Sequence, residues 1–87
     1  MEIYKLYILY SALLDKYYIG YTGQSVEERL FKHNCNHKGF TGKAHDWVLM
    51  YTESYAIKRE ALAREKEIKS WKSKLRIIQL INRSSIE

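Results

Sequence analysis

Two runs of apolar and aromatic positions near the start of the chain predict β-strands. They cover Ile3 to Tyr10 and Lys16 to Thr22, and both are rich in β-branched and aromatic side chains. The connection between them, Ser11 to Asp15, is only five residues long. The pattern therefore predicts an antiparallel β-hairpin.

The register of this hairpin determines which side chains share a face. If Tyr10 pairs with Tyr17 at the closed end, antiparallel pairing places Tyr7 opposite Gly20. Because side chains alternate with a period of two along a strand, Tyr7, Tyr18 and Gly20 then lie on the same face. We expect two phenols beside a patch of bare backbone, with open space next to the Tyr7 hydroxyl.

The rest of the chain predicts an α+β fold, in which a three-stranded antiparallel sheet is flanked by helices. Ser25 and Glu28 form a capping box that starts the first helix. The glycine-containing segment from Cys35 to Asp46 is typical of a loop. The other predicted elements are a helix over Val26 to Asn34, a third strand over Trp47 to Tyr55, a helix from Ala56 to about Trp71 and a last helix over Leu75 to Ile81.

One carboxylate interrupts the apolar stripe of the second predicted helix. Glu65 lies four residues after Ala61 and three before Ile68, both of which should face the core. A buried carboxylate is costly unless it is paired or bound to a metal. Glu65 is therefore either half of an ion pair with a nearby Lys or Arg, or a metal ligand, and the sequence leaves both open.

The length and the net charge of the chain indicate how many domains it forms and what kind of partner it binds. The 87 residues are enough for one small domain, which we expect over residues 1–82, with a flexible tail over 83–87. The net charge is +5, and eight basic residues lie in one stretch between Lys58 and Arg76. This favours a nucleic acid partner, although a solvated helix face would look the same.

Other features exclude some classes of protein. No apolar run is long enough for a transmembrane helix, and the start of the chain lacks a signal-peptide pattern, so we expect a cytoplasmic protein with no membrane partner. The single cysteine, Cys35, excludes an internal disulfide.

Two polar residues on the first predicted helix point toward the hairpin. Arg29 and His33 are four residues apart and flank Leu30, so they project from one side of the helix. Both can contact a phosphate. With Tyr7, Tyr18 and Glu65 they would form one concave, phosphate-binding cluster.

These residues occur in the order and spacing of a known family. The chain closely resembles a GIY-YIG nuclease domain over roughly residues 4 to 81, particularly the small stand-alone bacterial type, and is similar to the nuclease domain of the UvrC excinuclease subunit. Lys5 stands where the family has glycine, Tyr21 where some members have lysine, and Asn82 is the only asparagine near the position that many members fill after the metal-binding helix. The matching segments are Lys5-Leu6-Tyr7, Tyr18-Ile19-Gly20, Arg29 to His33, Gly39-Phe40-Thr41-Gly42-Lys43 and Ala61-Leu62-Ala63-Arg64-Glu65.

The resemblance implies an endonuclease that hydrolyses DNA phosphodiester bonds with one Mg²⁺ or Mn²⁺ ion, in DNA repair, recombination or processing. It implies that Tyr7 and Tyr18 orient or deprotonate water, Arg29 binds the scissile phosphate, His33 assists proton transfer and Glu65 holds the metal. We favour Tyr7 as the base, its phenolate stabilised by nearby positive charge. The residues expected to contact nucleic acid are Thr41, Lys43, Arg64, Lys69 and Lys72.

Several alternatives remain at this stage. The fold can serve as a binding module that grips nucleic acid without cutting it. A zinc site from His33, Cys35, His37 and His45 is a third hypothesis, although its spacing matches no usual structural zinc pattern. The substrate can be branched or single-stranded DNA or RNA, the protein a monomer or a homodimer, and we expect structure-biased or nonspecific cleavage.

Overall fold

A three-stranded antiparallel sheet with helices on both faces organises the chain. The computed structural model describes residues 3–35 and 43–85, and the strand order in its sheet is β2-β1-β3. This confirms the predicted α+β class. The elements are β1 (Tyr4–Ser11), β2 (Lys16–Thr22), α1 (Val26–Asn34), β3 (Val48–Tyr55), α2 (Lys58–Trp71) and α3 (Lys74–Ser85).

The β1–β2 hairpin has the predicted register. Tyr10 pairs with Tyr17, and Tyr7 lies opposite Gly20. At the closed end the rings of Tyr10 and Tyr17 lie 4.7 Å apart. Asp15 adopts a left-handed conformation in the turn, with φ of 52°, and its carboxylate accepts a hydrogen bond from the Tyr10 hydroxyl at 2.6 Å. Local contacts therefore hold the register that brings Tyr7 over Gly20.

Strand β3 pairs with the other edge of β1 and contains a β-bulge. Ile8 pairs with Tyr51 and Leu9 with Leu49, so Met50 is the extra residue on β3. The strand begins at Val48, one residue later than predicted. The side-chain amide of Asn34, at the end of α1, hydrogen-bonds both the backbone N–H and the backbone carbonyl of Trp47. Trp47 therefore does not pair in the β1–β3 ladder.

The first helix begins and ends where the sequence predicts. The Ser25 hydroxyl oxygen accepts a hydrogen bond from the backbone N–H of Glu28, as an N-cap does, and donates one to the carboxylate of Glu27. Val26 is buried against the sheet and Leu30 is half-buried beside it. His33 lies on the same side of α1, near its C-terminal end, and is also buried.

The two faces of the sheet have different cores. One face packs Leu6, Ile8 and Ile19 against apolar side chains of α2 and α3. The other packs Tyr7 and Leu9 against α1 and the segment before β3. Because neighbouring strand residues point to opposite faces, Tyr7 belongs to the α1 side.

The last two helices differ from the prediction at their ends. Helix α2 starts at Lys58 instead of Ala56, because Ile57 is still extended as its N-cap. Helix α3 continues to Ser85, past both the predicted end at Ile81 and the expected domain boundary at residue 82. Flexibility of residues 83–87 stays a prediction, and 86–87 lie outside the described residues. No helix in the described part of the chain is long and apolar enough to span a membrane.

Candidate active site

Tyr7 and His33 form a buried pair between the sheet and α1. The Tyr7 hydroxyl lies 2.9 Å from His33 Nε2, and the exposed fractions of the two residues are 1% and 7%. The projection of His33 toward the hairpin, predicted from helical spacing, is confirmed. Since an imidazole nitrogen can accept a phenol proton, this contact provides a path for proton transfer.

Gly20 makes room for the Tyr7 phenol. A Cβ atom at Gly20 would lie 2.7 Å from the Tyr7 hydroxyl oxygen and 3.1 Å from Cε2 of Tyr18. The bare backbone predicted between the two phenols is therefore present. The open space predicted beside the Tyr7 hydroxyl is filled by the phenol itself, which packs directly over Gly20.

Tyr18 completes an aromatic cluster around His33. Its ring centroid lies 6.4 Å from that of Tyr7 and 4.9 Å from that of His33. On its other side the ring meets Trp47 edge-on at 6.5 Å. Tyr18 itself is half-buried, so it lies between the buried pair and the surface.

Arg29 supplies positive charge to the same cluster. Burial raises the pKa of the Tyr7 phenol, and the hydrogen bond and charge of the Arg29 guanidinium oppose this only in part, so the pKa lies above its usual value of 10.0. Tyr7 is therefore protonated at neutral pH. The Nε atom of Arg29 is buried and, within the described chain, has no hydrogen-bond partner.

Glu65 reaches this cluster from α2. Its charge acts on the Tyr7 phenol and contributes to raising the Tyr7 pKa. It pairs with Lys69 at 3.6 Å, with its own side chain 13% exposed, so the ion pair considered from sequence is present. The Lys69 ammonium also lies 5.9 Å from the centroid of the Tyr18 ring. Because β2 is an edge strand, both side chains can reach past the sheet to the α1 side.

A surface cavity opens beside these groups. It has a volume of about 410 Å³ and is lined by Arg29, Lys32, His33 and Cys35. Two of these side chains are cationic at neutral pH and none is acidic. The cavity is therefore suited to an anionic group such as a phosphate.

The residues expected to contact nucleic acid do not all lie at this site. Lys69 does, through its contact with Tyr18. Lys43 and Lys72 are exposed at the start of the segment before β3 and at the end of α2. Thr41 lies outside the described residues.

Arg64 lies on the other face of the sheet. Its guanidinium bonds both carboxylate oxygens of Glu53, at 3.0 and 3.1 Å, and pairs with Glu67 at 3.1 Å. Glu53 is opposite Leu6 in the β1–β3 ladder, which places it on the face away from Tyr7. The structure thus gives Arg64 a role in intramolecular packing and does not bring it to the candidate active site.

Those of the residues considered for zinc that the structure describes do not form a metal-binding cluster. His33 bonds Tyr7, whereas Nδ1 of His45 lies 2.8 Å from the backbone carbonyl of Asn34. His37 lies outside the described residues. Across residues 3–35 and 43–85, no three His, Cys, Asp or Glu side chains are close enough to share a metal ion.

A single carboxylate nevertheless fits one kind of metal. Mg²⁺ binds through one or two protein carboxylates and keeps several of its waters, with further ligands from substrate phosphate. Glu65 is a half-buried carboxylate beside the phenols. Its partner is the single ammonium of Lys69, whose side chain is 50% exposed, and not an arginine fork, so a metal ion can replace that partner. The donor set in the described part of the chain therefore suits a divalent ion such as Mg²⁺ or Mn²⁺ and not a structural zinc ion.

Two residues that sequence reasoning missed support the site. The side-chain amide of Asn34 donates to the carbonyl of Trp47 at 3.0 Å and accepts from its backbone N–H at 2.8 Å. Trp47 is 2% exposed and backs the Tyr18 ring. An asparagine at the last position of a predicted helix was a signal for such a cap-like contact, but its partner depended on the fold.

Comparison with known proteins gives two results. A family model described as the GIY-YIG catalytic domain matches residues 3–79. Proteins called UPF0213 from two strains of Staphylococcus epidermidis are each 44% identical to the chain over 66 residues, which covers 71% of this chain and 78% of each relative. No solved structure matches the sequence significantly.

Proposed function

The chain belongs to the GIY-YIG family, a family of nuclease-type catalytic domains, and from this premise we propose that it is a divalent-metal-dependent endonuclease acting on DNA. The observation that carries the proposal is the convergence of Tyr7, His33 and Arg29 on one side of the sheet. These three groups supply an acid–base pair and an anion-binding fork within one cluster. Tyr18 and Glu65 flank it.

Arg29 is proposed to bind the scissile phosphate. A guanidinium offers five N–H donors in a planar fork that matches two phosphate oxygens. The Nε donor is buried and lacks a partner in the described chain, and Arg29 is one of the residues that line the cavity. A buried donor without a partner costs free energy, and a bound phosphate would remove that cost. As charge builds on the phosphate in the transition state, the contact strengthens.

Tyr7 and His33 are proposed to move the proton of the attacking water. Since the raised pKa keeps Tyr7 protonated, the phenol cannot act alone as a phenolate base. Instead the phenol donates its proton to His33 Nε2 as its oxygen accepts the proton from water. The water oxygen then forms a bond to phosphorus, one P–O ester bond breaks, and the leaving oxygen takes a proton from solvent. His33 releases the proton that it received from Tyr7 to solvent, which restores the starting state.

Glu65 is proposed to hold one Mg²⁺ or Mn²⁺ ion, with Tyr18 positioning water or phosphate. When bound, such an ion would neutralise charge on the phosphate and lower the pKa of a bound water. Lys69 pairs with Glu65 when no ion is present. When a metal ion binds Glu65, Lys69 is expected to release the carboxylate and become available to a phosphate.

The test is cleavage of a labelled panel of single-stranded, duplex, flapped and branched DNA and matching RNA, with Mg²⁺, Mn²⁺ or a chelator. Glu65→Ala is compared with Glu67→Ala, which removes the same charge from an exposed position on the same helix. We expect metal-dependent cutting in the wild type and in Glu67→Ala, and its loss in Glu65→Ala.

A second pair of variants tests the proton path. Tyr7→Phe removes only the hydroxyl, and Tyr17→Phe makes the same change on the other face of the sheet. We expect a loss of about a hundredfold in kcat for Tyr7→Phe, in the range typical of acid–base groups, and little change for Tyr17→Phe. Full activity of Tyr7→Phe would remove Tyr7 from the mechanism.

A binding module that does not cut is the second candidate. Two observations favour it: the Glu65–Lys69 ion pair, which occupies the carboxylate, and the raised pKa of Tyr7. Binding of the panel without cleavage under any metal condition would support this function over the nuclease.

A further inference from the structure

A second basic groove lies on the face of the sheet away from Tyr7. It is formed by α2 and α3 and has a volume of about 280 Å³. Its lining residues are Arg64, Trp71, Arg76, Gln79, Leu80 and Arg83. We propose that this groove, here called the α2–α3 groove, binds phosphates of a nucleic acid strand away from the candidate active site. The choice of ligand rests on the proposed function.

The groove is built around a stacked arginine. The Arg76 guanidinium carbon lies 4.4 Å from the centroid of the Trp71 ring, while that of Arg64 lies 5.6 Å from it. Stacking against an indole holds the guanidinium plane and leaves its N–H edge for an anion. Arg76 is therefore oriented before any ligand binds, which lowers the entropic cost of binding.

The charges of the groove are only partly balanced. The charge of Arg64 is neutralised by Glu53 and Glu67, so this residue forms one wall of the groove without adding net positive charge to it. Among the described residues no carboxylate forms an ion pair with Arg76 or Arg83. No acidic side chain of residues 3–35 and 43–85 lines the groove. Two positive charges thus face a concave surface without compensation, which favours a polyanion.

The spacing of these two arginines matches a nucleic acid strand. They are seven residues apart on α3, hence on the same side of the helix and separated by about 10 Å along its axis. This is about the axial length of three nucleotides in one strand of B-DNA. The two guanidinium groups can therefore contact separate phosphates of one strand.

The position of the groove implies a length requirement. The described part of the molecule measures 31 × 29 × 25 Å, and the groove and the Tyr7 cluster lie on opposite faces of the sheet. A strand that reaches from one face to the other must go around the edge of the molecule, and a path of about 25 Å at about 3.4 Å per nucleotide already needs roughly eight nucleotides. Short oligonucleotides can occupy one site, whereas longer ones can contact both.

The test measures binding of labelled single strands of about six and about thirty nucleotides in chelator, at several salt concentrations. Arg83→Ala is the main variant because Arg83 is exposed and its loss leaves the core unchanged. Arg59→Ala is the control, since it removes the same charge from an exposed position of α2 outside the groove. Thermal unfolding of each variant confirms that it is folded.

We expect Arg83→Ala to weaken binding of the long strand about fivefold at 0.1 M salt, because one single-strand phosphate contact contributes about 0.7 to the slope of log K against log salt. The slope should fall by that amount, and the preference for the long strand should shrink. Arg59→Ala should change neither. Equal effects of the two variants would mean that only the total positive charge of the protein matters for binding, and this result would overturn the proposal.

The outcome is independent of catalysis. Suppose that the wild type cuts none of the substrates, and that Arg83→Ala selectively weakens binding of the long strand. The groove proposal is then supported, and the proposed nuclease function fails. If the wild type cuts DNA but Arg83→Ala binds like Arg59→Ala, the function stands and the groove is overturned.

Discussion

Replacement of Gly20 by alanine should displace Tyr7 from its present position against His33. The added methyl carbon would lie 2.7 Å from the Tyr7 hydroxyl oxygen and 2.8 Å from Cζ of the same ring. Tyr18 is also close, at 3.1 Å. Tyr7 is a rigid ring that is 1% exposed, so it has no free volume into which to turn.

The size of the effect follows from these distances. Favourable contacts between carbon-sized atoms begin near about 3.5 Å, so the phenol must withdraw by at least roughly half an ångström. A displacement of this size takes the 2.9 Å contact between the Tyr7 hydroxyl and His33 out of good hydrogen-bond geometry. Overpacking of this kind costs about 1–3 kcal/mol of unfolding free energy. A shift of about 1 Å in catalytic geometry can lower the rate about a hundredfold, so we expect at least about a tenfold loss in kcat.

Urea unfolding and single-turnover cleavage measure the two effects. Gly23→Ala is the matched control, because its methyl would lie 2.9 Å from Cε1 of Tyr4, a comparable clash that involves neither Tyr7 nor His33. Because the Tyr4 ring is half-buried and can move, this variant should lose no more stability than Gly20→Ala, and its kcat should stay nearly unchanged. The destabilisation by Gly20→Ala should be smaller in a Tyr7→Phe background, where the closest oxygen is absent.

Wild-type stability and kcat in Gly20→Ala would refute this reasoning. Equal losses of activity in Gly20→Ala and Gly23→Ala would mean that activity follows stability alone, and the Tyr7–His33 contact would then have no special role.

Two further predictions concern contacts away from the chemistry. Burial tends to raise the pKa of the Glu53 carboxyl, but the hydrogen bonds from Arg64, Tyr51 and Tyr55 outweigh burial and lower that pKa overall. The stabilisation from Glu53 is therefore fully present above its unfolded pKa of about 4.3, and it is lost as the pH falls through the pKa of the folded state. Glu53→Gln should therefore cost about 2 kcal/mol at pH 7 and almost nothing at pH 2 in urea unfolding, and a pH-independent cost would contradict the ion pair. Asn34→Ala should cost about 1–2 kcal/mol by removing both bonds to the Trp47 backbone, whereas Asn34→Asp, which keeps only the acceptor, should lose less; equal losses would mean that the donated bond contributes nothing.

Local pattern was enough to predict the elements and part of the site. Tyr10–Tyr17 pairing follows from a short turn between two strands, and the period of two then puts Tyr7 over Gly20. The cap at Ser25 likewise sets where α1 starts and so which way His33 faces. These features depend on residues close in sequence, whose geometry the backbone constrains directly.

Contacts between distant segments needed the tertiary structure. Nothing in the sequence indicates that Arg64 pairs with Glu53 eleven residues away instead of joining the other basic residues as a nucleic acid contact. The Met50 bulge, which shifts the pairing of β3, is equally invisible, since no special residue type marks it.

The balance of charge at Tyr7 also required the fold. The sequence supplied Arg29 as a positive neighbour and thus suggested a stabilised phenolate, but it did not reveal how deeply the ring is buried. Burial depends on how α1 and the sheet pack together, and its cost to a charged phenol exceeds the benefit from Arg29. Periodicity in the sequence therefore determined which groups meet, whereas three-dimensional packing decided their protonation, their partners and hence the role that each can take.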